Sequence, residues 1–456
     1  MGAEQPRSRE IMTDLYELTM AASYFEQQMF APATFSLFVR EYPPNRSYLV
    51  CAGLDPLLDY LESFHFRPDD LEYLEQTSLF PDTFIQFLEK IRFTGEVRAV
   101  PEGRISFCHE PLLEITAPVM QAQLVETFVI NAINLPTLVA TKASRCLYAA
   151  GQRSLVDFSL RRTHGMDAGL MVARSSYIGG FIGTSNVQAG KTYGLPIYGT
   201  MAHSYVESFD REIDSFRAFA KSFPDNTVLL VDTYDTLAGA RKAVTVAREM
   251  REAGKNLRAV RLDSGDMVQL SQQVRELLDQ VGFAEVKIFA SGGFDEFKIQ
   301  KMLAAGAKID AFGVGTKIGV SADAPYLNMA YKMVEYNGRP VLKLSSGKVS
   351  LAGPKQVYRQ RDEEGFFKRD LIGLPDEDVA DSELLLVPVM KGGKRLLQSE
   401  PLDKIQKRFR DEFSQLPEIY KDLQGKPRYP VDITPRLQAL QDEVQEQIRR
   451  KELGLA

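Results

Sequence analysis

The chain has 456 residues, of which 44% are hydrophobic and 25% charged, and its formal net charge is −6 at pH 7. This balance is typical of a globular protein and excludes an extensively disordered chain. The negative charge argues against a nucleic-acid-binding surface, because such surfaces depend on basic residues that displace counterions. A chain of this length is expected to form two domains or one elaborated barrel.

The cysteines Cys51, Cys108 and Cys146 are far apart in the sequence and show no C-x-x-C spacing. Neither a zinc ribbon nor a disulfide framework is therefore indicated, and a reducing compartment fits best. The first residues lack an apolar signal core, and no apolar stretch approaches the roughly 20 residues of a membrane helix. We expect a cytoplasmic protein with small-molecule partners and neither nucleic acid nor membrane among them.

The first 135 residues mix the two kinds of secondary structure. Helical spacing is present in "MTDLYELTMAASYFEQQ" and "FPDTFIQFLEKI", while strand patterns are present in "ATFSLFVREYP", "GEVRAVPEG" and "PLLEITAPV". This mixture predicts an α+β layer over residues 1–135.

From about residue 155 to residue 330, short apolar runs alternate with helical patterns. Seven strands are predicted, at 155–160, 180–185, 195–200, 228–233, 257–263, 286–291 and 309–314. Repeated strand and helix alternation predicts parallel strands with helical crossovers. Because polar residues recur at the carboxyl end of nearly every strand, we favour an irregular α/β barrel over residues 136–330 to an open sheet.

After residue 330 the sequence changes character again. "YKMVEYNGRPVLKLS" predicts a hairpin around Asn337 and Gly338, and the charged segment near the end predicts a solvated surface helix. We expect residues 331–456 to pack with residues 1–135 as one discontinuous α/β sandwich domain.

Glycines directly follow two of the predicted strands, in "ASGGF" (290–294) and "FGVGT" (312–316). Bare backbone N–H groups at such turns can approach an anion, which favours a phosphate site. The alternative is that these glycines only allow a tight turn between strand and helix.

Carboxylates follow the two preceding strands, in "LVDTYD" and "RLDSGD". Asp232 and Asp263 stand at strand ends, where they could accept hydrogen bonds from ribose hydroxyls or hold a Mg²⁺ that bridges phosphates. The alternative function of an aspartate in such a loop is to cap the next helix, and for Asp266 we favour capping.

Arginines supply the complementary charge. Arg161 and Arg162 follow the first of the seven strands, and Arg261 lies two positions before Asp263, on the same face of its strand. A carboxylate or a phosphate could pair with these groups in a bidentate manner. For Arg261 an internal salt bridge to Asp263 or Asp232 is the alternative.

His203 is one of four histidines in the chain and lies among small residues in "GTMAHSYV". Together with the glycine turns, carboxylates and arginines, it indicates chemistry on a phosphorylated sugar. The sequence contains no hydrolase nucleophile elbow, Walker loop or dinucleotide glycine fingerprint.

Several segments, in this order, strongly resemble the nicotinate phosphoribosyltransferases, a type II phosphoribosyltransferase family. They are "TDLYELTMAASYF", "VDFSLRRTHG", "GGFIGTSNV", "GTMAHSYV", "RLDSGD", "FASGGF" and "FGVGTKIGVS", and the match extends to "PRYPVDITPRL". The resemblance implies an α/β sandwich from both termini joined to a roughly seven-stranded barrel. It also implies transfer of phosphoribosyl from 5-phosphoribosyl 1-diphosphate to nicotinate, with Mg²⁺ as cofactor, coupled ATP hydrolysis and transient phosphorylation of His203.

The residue patterns and the resemblance together assign site residues. The expected catalytic residues are His203 and Asp263, and the expected nicotinate contacts are Tyr16, Thr200, Arg261 and Ser185. The expected contacts to the sugar diphosphate are Arg161, Arg162, Asp232, Ser291, Gly292, Gly293, Gly313, Gly315 and Thr316. The protein ligands of Mg²⁺ are left open, and substrate phosphates would mainly hold the ion. The family further implies a homodimer with shared sites.

Ser185 bears on the choice between acid and amide substrates. Relatives that use nicotinamide commonly carry an aspartate at this position, where a carboxylate would repel nicotinate. The alternatives are a nicotinamide phosphoribosyltransferase, a quinolinate enzyme, which would need a second cluster of cations, and a catalytically silent relative that binds nucleotide or phosphoribose.

Overall fold

The structure is a computed structural model that describes residues 11–344 and 350–454. It divides into two compact units: Met1–Leu138 with Tyr326–Ala456, here called the terminal unit, and Val139–Pro325, here called the central unit. Each unit combines helices with strands. The terminal unit is built from both ends of the chain.

The first segment of the terminal unit alternates short strands and helices. Its helices are α1 (Leu15–Glu26), α2 (Leu54–Ser63), α3 (Pro68–Gln76), α4 (Asp82–Lys90) and α5 (Val119–Leu124), followed by α6 (Glu126–Ala150), which contains the boundary between the units. Its strands are β1 (Pro32–Val39), β2 (Leu49–Val50), β3 (Glu96–Ala99), β4 (Ile105–Ser106) and β5 (Pro111–Pro118). Helices α1 and α4 and strands β1, β3 and β5 confirm the elements predicted there.

The central unit repeats strand and helix. Its strands are β6 (Ser154–Asp157), β7 (Gly183–Thr184), β8 (Val228–Leu230), β9 (Ala259–Leu262), β10 (Lys287–Ser291) and β11 (Ala311–Val314). Its helices are α7 (Met166–Ile178), α8 (Val187–Tyr193), α9 (His203–Glu207), α10 (Glu212–Ser222), α11 (Thr236–Glu252), α12 (Met267–Gln280), α13 (Glu296–Ala304) and α14 (Thr316–Gly319), and a 3₁₀ turn covers Leu160–Arg162.

The last segment returns to the terminal unit. Its strands are β12 (Met329–Tyr336), β13 (Arg339–Pro340), β14 (Gln356–Arg361), β15 (Phe367–Gly373), β16 (Ser382–Leu384), β17 (Val387–Lys391), β18 (Lys394–Arg395) and β19 (Val431–Ile433). Its helices are α15 (Leu402–Gln415), α16 (Glu418–Lys421) and α17 (Pro435–Leu453). The predicted hairpin is confirmed, because β12 pairs with β13 and both Asn337 and Gly338 have positive φ.

The main sheet of the terminal unit has seven strands in the order β13-β12-β1-β5-β3-β17-β18. Strand β1 pairs antiparallel with β5 on one side and with β12 on the other, so both ends of the chain contribute to one sheet. Its inward side chains, such as Phe35 and Leu37, are fully or almost fully buried and form part of the core.

The sheet of the central unit is parallel, in the order β7-β6-β11-β10-β9-β8. The seventh predicted strand, 195–200, is reduced to a single parallel bridge between Ile197 and Thr184. Pro196 lacks an N–H group, which limits regular pairing there. Because all these strands run in one direction, their carboxyl ends lie at one edge of the sheet.

The architecture is thus mixed α/β with a parallel sheet and surrounding helices. The strand pairings of the described residues give an open row of strands, so closure into a barrel, like the sandwich description of the terminal unit, stays a prediction. No helix in the described ranges combines the length and apolar character needed to cross a membrane.

Candidate active site

Arg261 lies near the carboxyl end of β9 in the parallel sheet, and its side chain is 12% exposed. Its Nε donates to Ser291 Oγ at 2.8 Å, and Nη1 donates to Thr200 Oγ1 at 2.8 Å and to the carbonyl oxygen of Met201 at 3.1 Å. Its Nη2 donates to Asp263 Oδ1 at 2.9 Å. These contacts account for four of the five N–H donors of a guanidinium, so its plane is fixed before any ligand binds.

Asp263 forms an ion pair with this arginine. This is the internal salt bridge predicted from the sequence as an alternative for Arg261. Asp263 Oδ1 also accepts a hydrogen bond from the Ser291 hydroxyl. Burial acts to raise the pKa of the Asp263 carboxyl, but the hydrogen bonds from Ser291 and Arg261 outweigh burial, and the pKa is lowered. Asp263 is therefore ionised at neutral pH.

Asp232 fixes the loop that carries Asp263. Its Oδ2 accepts hydrogen bonds from the backbone N–H of Asp263 at 2.9 Å and from Ser264 Oγ at 2.6 Å. Its Oδ1 is buried and has no hydrogen-bond partner among the described residues. Such an oxygen is available to a ligand hydroxyl or a cation. Asp266, by contrast, caps α12, as predicted.

His203 begins α9 and faces this cluster. Its Nδ1 lies 3.1 Å from Thr233 Oγ1, and its Nε2 lies 3.9 Å from Asp263 Oδ2. The side chain is 39% exposed, so the imidazole is accessible to solvent and to ligands. Asp263 contacts both His203 and Arg261. The predicted phosphoryl acceptor is therefore beside the predicted nicotinate site.

The two glycine turns lie at the same edge of the sheet. Gly292 follows β10 with φ +115°, and a Cβ added there would lie 2.4 Å from the carbonyl oxygen of Asp263. A Cβ on Gly313 would meet the ring of Phe158 at 2.7 Å. At these two positions only glycine fits without displacement of a neighbour, whether or not an anion binds. Gly293 adopts positive φ as well, and Gly315 precedes the exposed Thr316 at the start of α14.

Arg161 and Arg162 lie on the 3₁₀ turn after β6 and are exposed. Neither guanidinium has a hydrogen bond or an ion pair within the part of the chain that the structure describes. The guanidinium of Arg261, by contrast, donates four hydrogen bonds within the protein. Arg161 and Arg162 are free to pair with an anionic ligand.

Ser185 follows β7 and is half-buried, and its backbone N–H donates to the carbonyl oxygen of Asp157 at 2.8 Å. Tyr16 belongs to the terminal unit, on α1, and is 46% exposed. The structure thus brings the predicted residues of the central unit to one edge of one sheet, whereas Tyr16 lies in the other unit.

Two nearby residues were not singled out from the sequence. The Phe158 ring lies with its centroid 5.8 Å from the Arg261 guanidinium carbon and 5.5 Å from the Phe289 ring centroid, and so offers an aromatic surface beside the cation. Thr233 contacts His203 as described above. Phe158 lies within the predicted strand 155–160, near its carboxyl end, and this position was a usable signal, but nothing in the sequence indicated the contact of Thr233.

No cluster of three or more histidine, cysteine, aspartate or glutamate side chains suited to a metal occurs in the ranges that the structure describes. A Mg²⁺ held by one or two carboxylates and by ligand phosphates, which is how this ion is commonly bound, would not need such a cluster. The unpartnered Oδ1 of Asp232 is the oxygen best suited to contribute.

Three family models match the chain. The nicotinate phosphoribosyltransferase N-terminal domain matches residues 11–134, the nicotinate phosphoribosyltransferase family model matches residues 153–363, and the C-terminal domain matches residues 380–441. Together these models cover most of the sequence, including every central-unit residue described above.

Similar proteins agree with these models. The nicotinate phosphoribosyltransferase pncB2 of Mycobacterium tuberculosis is 46% identical over 94% of this chain and 92% of its own length. The nicotinate phosphoribosyltransferase of Bacillus subtilis is 37% identical over 94% of this chain and 93% of its own length. Among solved structures, human nicotinic acid phosphoribosyltransferase matches with a TM-score of 0.85 and 28% identity, covering 95% of this chain and 99% of the human chain. A nicotinate-nucleotide pyrophosphorylase from Pyrococcus furiosus matches with a TM-score of 0.74 and 25% identity, over 91% of this chain and 99% of its own.

Proposed function

Because the chain belongs to the nicotinate phosphoribosyltransferase family, we propose that it transfers phosphoribosyl from 5-phosphoribosyl 1-diphosphate to nicotinate. The products are nicotinate mononucleotide and diphosphate. The bond between the pyridine nitrogen and the anomeric carbon forms as the bond from that carbon to the diphosphate oxygen breaks. No covalent enzyme nucleophile is required at the sugar.

The fixed guanidinium of Arg261 is the observation that carries this assignment. Its contacts to Ser291, Thr200 and Asp263 hold it in one plane, and it retains one N–H donor on Nη2. A carboxylate of nicotinate that pairs with this preorganised cation has its ring nitrogen aimed in one direction. Phe158 supplies an apolar surface for the ring beside the same cation.

The groups proposed for the sugar diphosphate follow strands at the same carboxyl edge of the parallel sheet. Arg161 and Arg162 are exposed and unpaired in the described chain, and they would stabilise the charge that grows on the leaving diphosphate. The turns that contain Gly292 and Gly315 would present backbone N–H groups to the sugar phosphate, and Asp232 Oδ1 would accept from a ribose hydroxyl or contact Mg²⁺. When bound, Mg²⁺ supplies neutralisation of the diphosphate charge.

We propose ATP as a co-substrate that phosphorylates His203. A ring nitrogen of the neutral imidazole attacks the γ-phosphorus, the N–P bond forms as the bond to the β,γ-bridging oxygen breaks, and ADP leaves. Water later cleaves the N–P bond and releases phosphate. The exposure of the ring and its 3.9 Å distance to Asp263 support this role, because a phosphoryl group added there would alter the field around Arg261.

The finer predictions of architecture and context belong to the same proposal. They are closure of the parallel sheet as an irregular, roughly seven-stranded barrel, an α/β sandwich in the terminal unit, a cytoplasmic location and a homodimer with shared sites. The stacking of Tyr16 on the pyridine ring also stays a prediction. The Tyr16 side chain is exposed and is therefore accessible to a ligand or a partner.

The test uses purified protein with 5-phosphoribosyl 1-diphosphate, Mg²⁺ and either nicotinate, nicotinamide or quinolinate, each with and without ATP. We expect a mononucleotide and diphosphate from nicotinate, with stimulation by ATP. His203→Ala should abolish ATP hydrolysis, and hydrolysis at the wild-type rate by this variant would refute the phosphoryl-acceptor role. Preference for nicotinamide would support the amide enzyme, and binding without turnover would support the catalytically silent alternative.

A further inference from the structure

Asp157, at the end of β6, is buried and binds two loops of the central unit at once. Its Oδ1 accepts a hydrogen bond from the backbone N–H of Ser159 at 2.9 Å, at the start of the segment that leads to Arg161. Its Oδ2 accepts a hydrogen bond from Thr184 Oγ1 at 2.7 Å, at the end of β7. One carboxylate therefore connects the β6 loop with the β7 loop.

The same pair of residues fixes the backbone around Ser185. The N–H of Ser185 donates to the Asp157 carbonyl oxygen at 2.8 Å, and the N–H of Asn186 donates to Thr184 Oγ1 at 3.0 Å. Ser185 is thus bracketed by bonds on both sides. A shift of either partner would move the side chain of Ser185, the residue expected to discriminate nicotinate from nicotinamide.

The direction of these hydrogen bonds is set by the chemistry of the carboxylate. An ionised carboxylate only accepts, so the Thr184 hydroxyl must donate to Asp157 and use a lone pair to accept from Asn186. An amide in place of the carboxylate would instead present N–H groups to one of its two donors. Either the Ser159 N–H or the Thr184 hydroxyl would then lose its acceptor.

Asp157 also has no cation within ion-pair distance among the described residues, and its hydrogen-bond partners are neutral. Burial raises the pKa of its carboxyl, and the bonds from Ser159 and Thr184 oppose that rise. A fully buried carboxylate without a counter-ion costs stability, and a group retained only for packing would be served equally well by an apolar side chain.

We propose that Asp157 and Thr184 are positioning residues that align the nicotinate-binding turn at Ser185 with the diphosphate-binding turn at Arg161 and Arg162. This inference rests on the proposed function and deepens it. Thr184 bonds directly to the Ser185 turn and reaches the other turn only through Asp157, whereas Asp157 bonds directly to both turns. The two residues should therefore differ in which substrate they affect.

The test compares Thr184→Val, which removes the hydroxyl at nearly constant volume, with Thr184→Ser, which keeps it. We expect Thr184→Val to raise KM for nicotinate about tenfold, equivalent to about 1.4 kcal/mol, and to leave KM for the ribosyl diphosphate within about twofold. Thr184→Ser should restore the wild-type KM. Asp157→Asn should raise both KM values.

Hydrogen exchange gives a readout independent of turnover. Thr184→Val should speed exchange at the amides of Ser185 and Asn186 and leave that of Ser159 unchanged, whereas Asp157→Asn should speed all three. A Thr184→Val enzyme with both KM values raised equally, or with only kcat lowered, would overturn the inference. If Asp157→Asn does not fold, the two Thr184 variants still decide. An inactive wild-type enzyme would count against the proposed function, while unchanged exchange would count against the positioning pair.

Discussion

The imidazole Nδ1 of His203 lies 3.1 Å from the hydroxyl oxygen of Thr233. A neutral imidazole carries one N–H and one lone pair, so the hydrogen bond at Nδ1 determines which nitrogen can act as a nucleophile. If the Nδ1 proton is donated to Thr233, the lone pair of Nε2 is available for phosphoryl transfer. The hydroxyl restricts the rotation of the ring whichever of the two groups donates.

Thr233→Val should therefore slow phosphorylation of His203. We expect the rate of label transfer from γ-³²P-ATP to the protein to fall about tenfold, as is typical for loss of one oriented hydrogen bond. Thr233→Ser, which keeps the hydroxyl, serves as the control and should be labelled at nearly the wild-type rate. Equal labelling of the valine and serine variants would show that Thr233 does not orient the ring.

Gly292→Ala should disable the site through the backbone. The added Cβ would lie 2.4 Å from the Asp263 carbonyl oxygen, so the loop that carries Asp263 must move. A displacement of about 1 Å at a catalytic group can cost about 100-fold in rate, and we expect a loss of that order in kcat/KM. Steady-state kinetics measure it.

Gly282→Ala is the matched control for this substitution. Gly282 also has positive φ, +79°, but a Cβ there would have no neighbour within 4 Å. Both variants should lose about 1–2 kcal/mol of stability from backbone strain, measured by urea unfolding. Only Gly292→Ala should lose activity beyond the loss of folded protein, and a similar loss in both would leave strain as the sole cause.

Ser185→Asp should reverse part of the preference for the acid substrate. A carboxylate at this half-buried position would repel the carboxylate of nicotinate but could accept a hydrogen bond from the amide of nicotinamide. We expect kcat/KM for nicotinate to fall at least tenfold more than kcat/KM for nicotinamide. Ser185→Asn, which is neutral, tests whether size alone matters. Equal losses for both substrates with the aspartate variant would remove this explanation.

Glu17 should make the stability of the terminal unit depend on pH. Its buried carboxylate accepts hydrogen bonds from the backbone N–H of Thr127 at 2.9 Å and from the hydroxyls of Thr127 and Thr13. Burial raises the pKa of Glu17 to about 7, against the opposing effect of these bonds. The folded state thus holds a proton that the unfolded state releases near pH 4.5, and stability declines as pH rises from about 4.5 to about 7.

Glu17→Gln removes this titration. The free energy of unfolding of the wild type should decline relative to that of the variant between pH 5 and pH 8, as measured by urea unfolding at each pH. Glu26→Gln, on the exposed side of the same helix, is the control and should follow the wild-type profile. If the wild-type and Glu17→Gln profiles run parallel, the proton is not held by Glu17.

Most strands of the central unit could be predicted from the sequence, because buried parallel strands carry continuous apolar runs. The positions of Arg261 and Asp263 on one strand face followed from a period of two, and their ion pair was among the alternatives considered. The partners Thr200 and Ser291 come from other loops, and their contacts depend on the register between strands, which local patterns do not encode.

Other features lacked a local signal altogether. Helix α6 continues through Pro136, a residue that normally ends a helical pattern, and the boundary between the two units falls inside it without a linker. The predicted strand at 195–200 failed because Pro196 leaves only one bridge, at Ile197. The contact between His203 and Thr233 joins residues 30 positions apart, which no motif relates.

The pairing of β1 with β12 sets an order of events during translation. Phe35 pairs with Met333, about 300 residues later, so one side of β1 has no partner until that part of the nascent chain leaves the ribosome. At about 5–20 residues per second, this delay is about 15–60 s. Meanwhile the whole central unit, residues 139–325, is synthesised and can fold, while one edge of the apolar β1 strand stays unpaired and open to pairing with other chains.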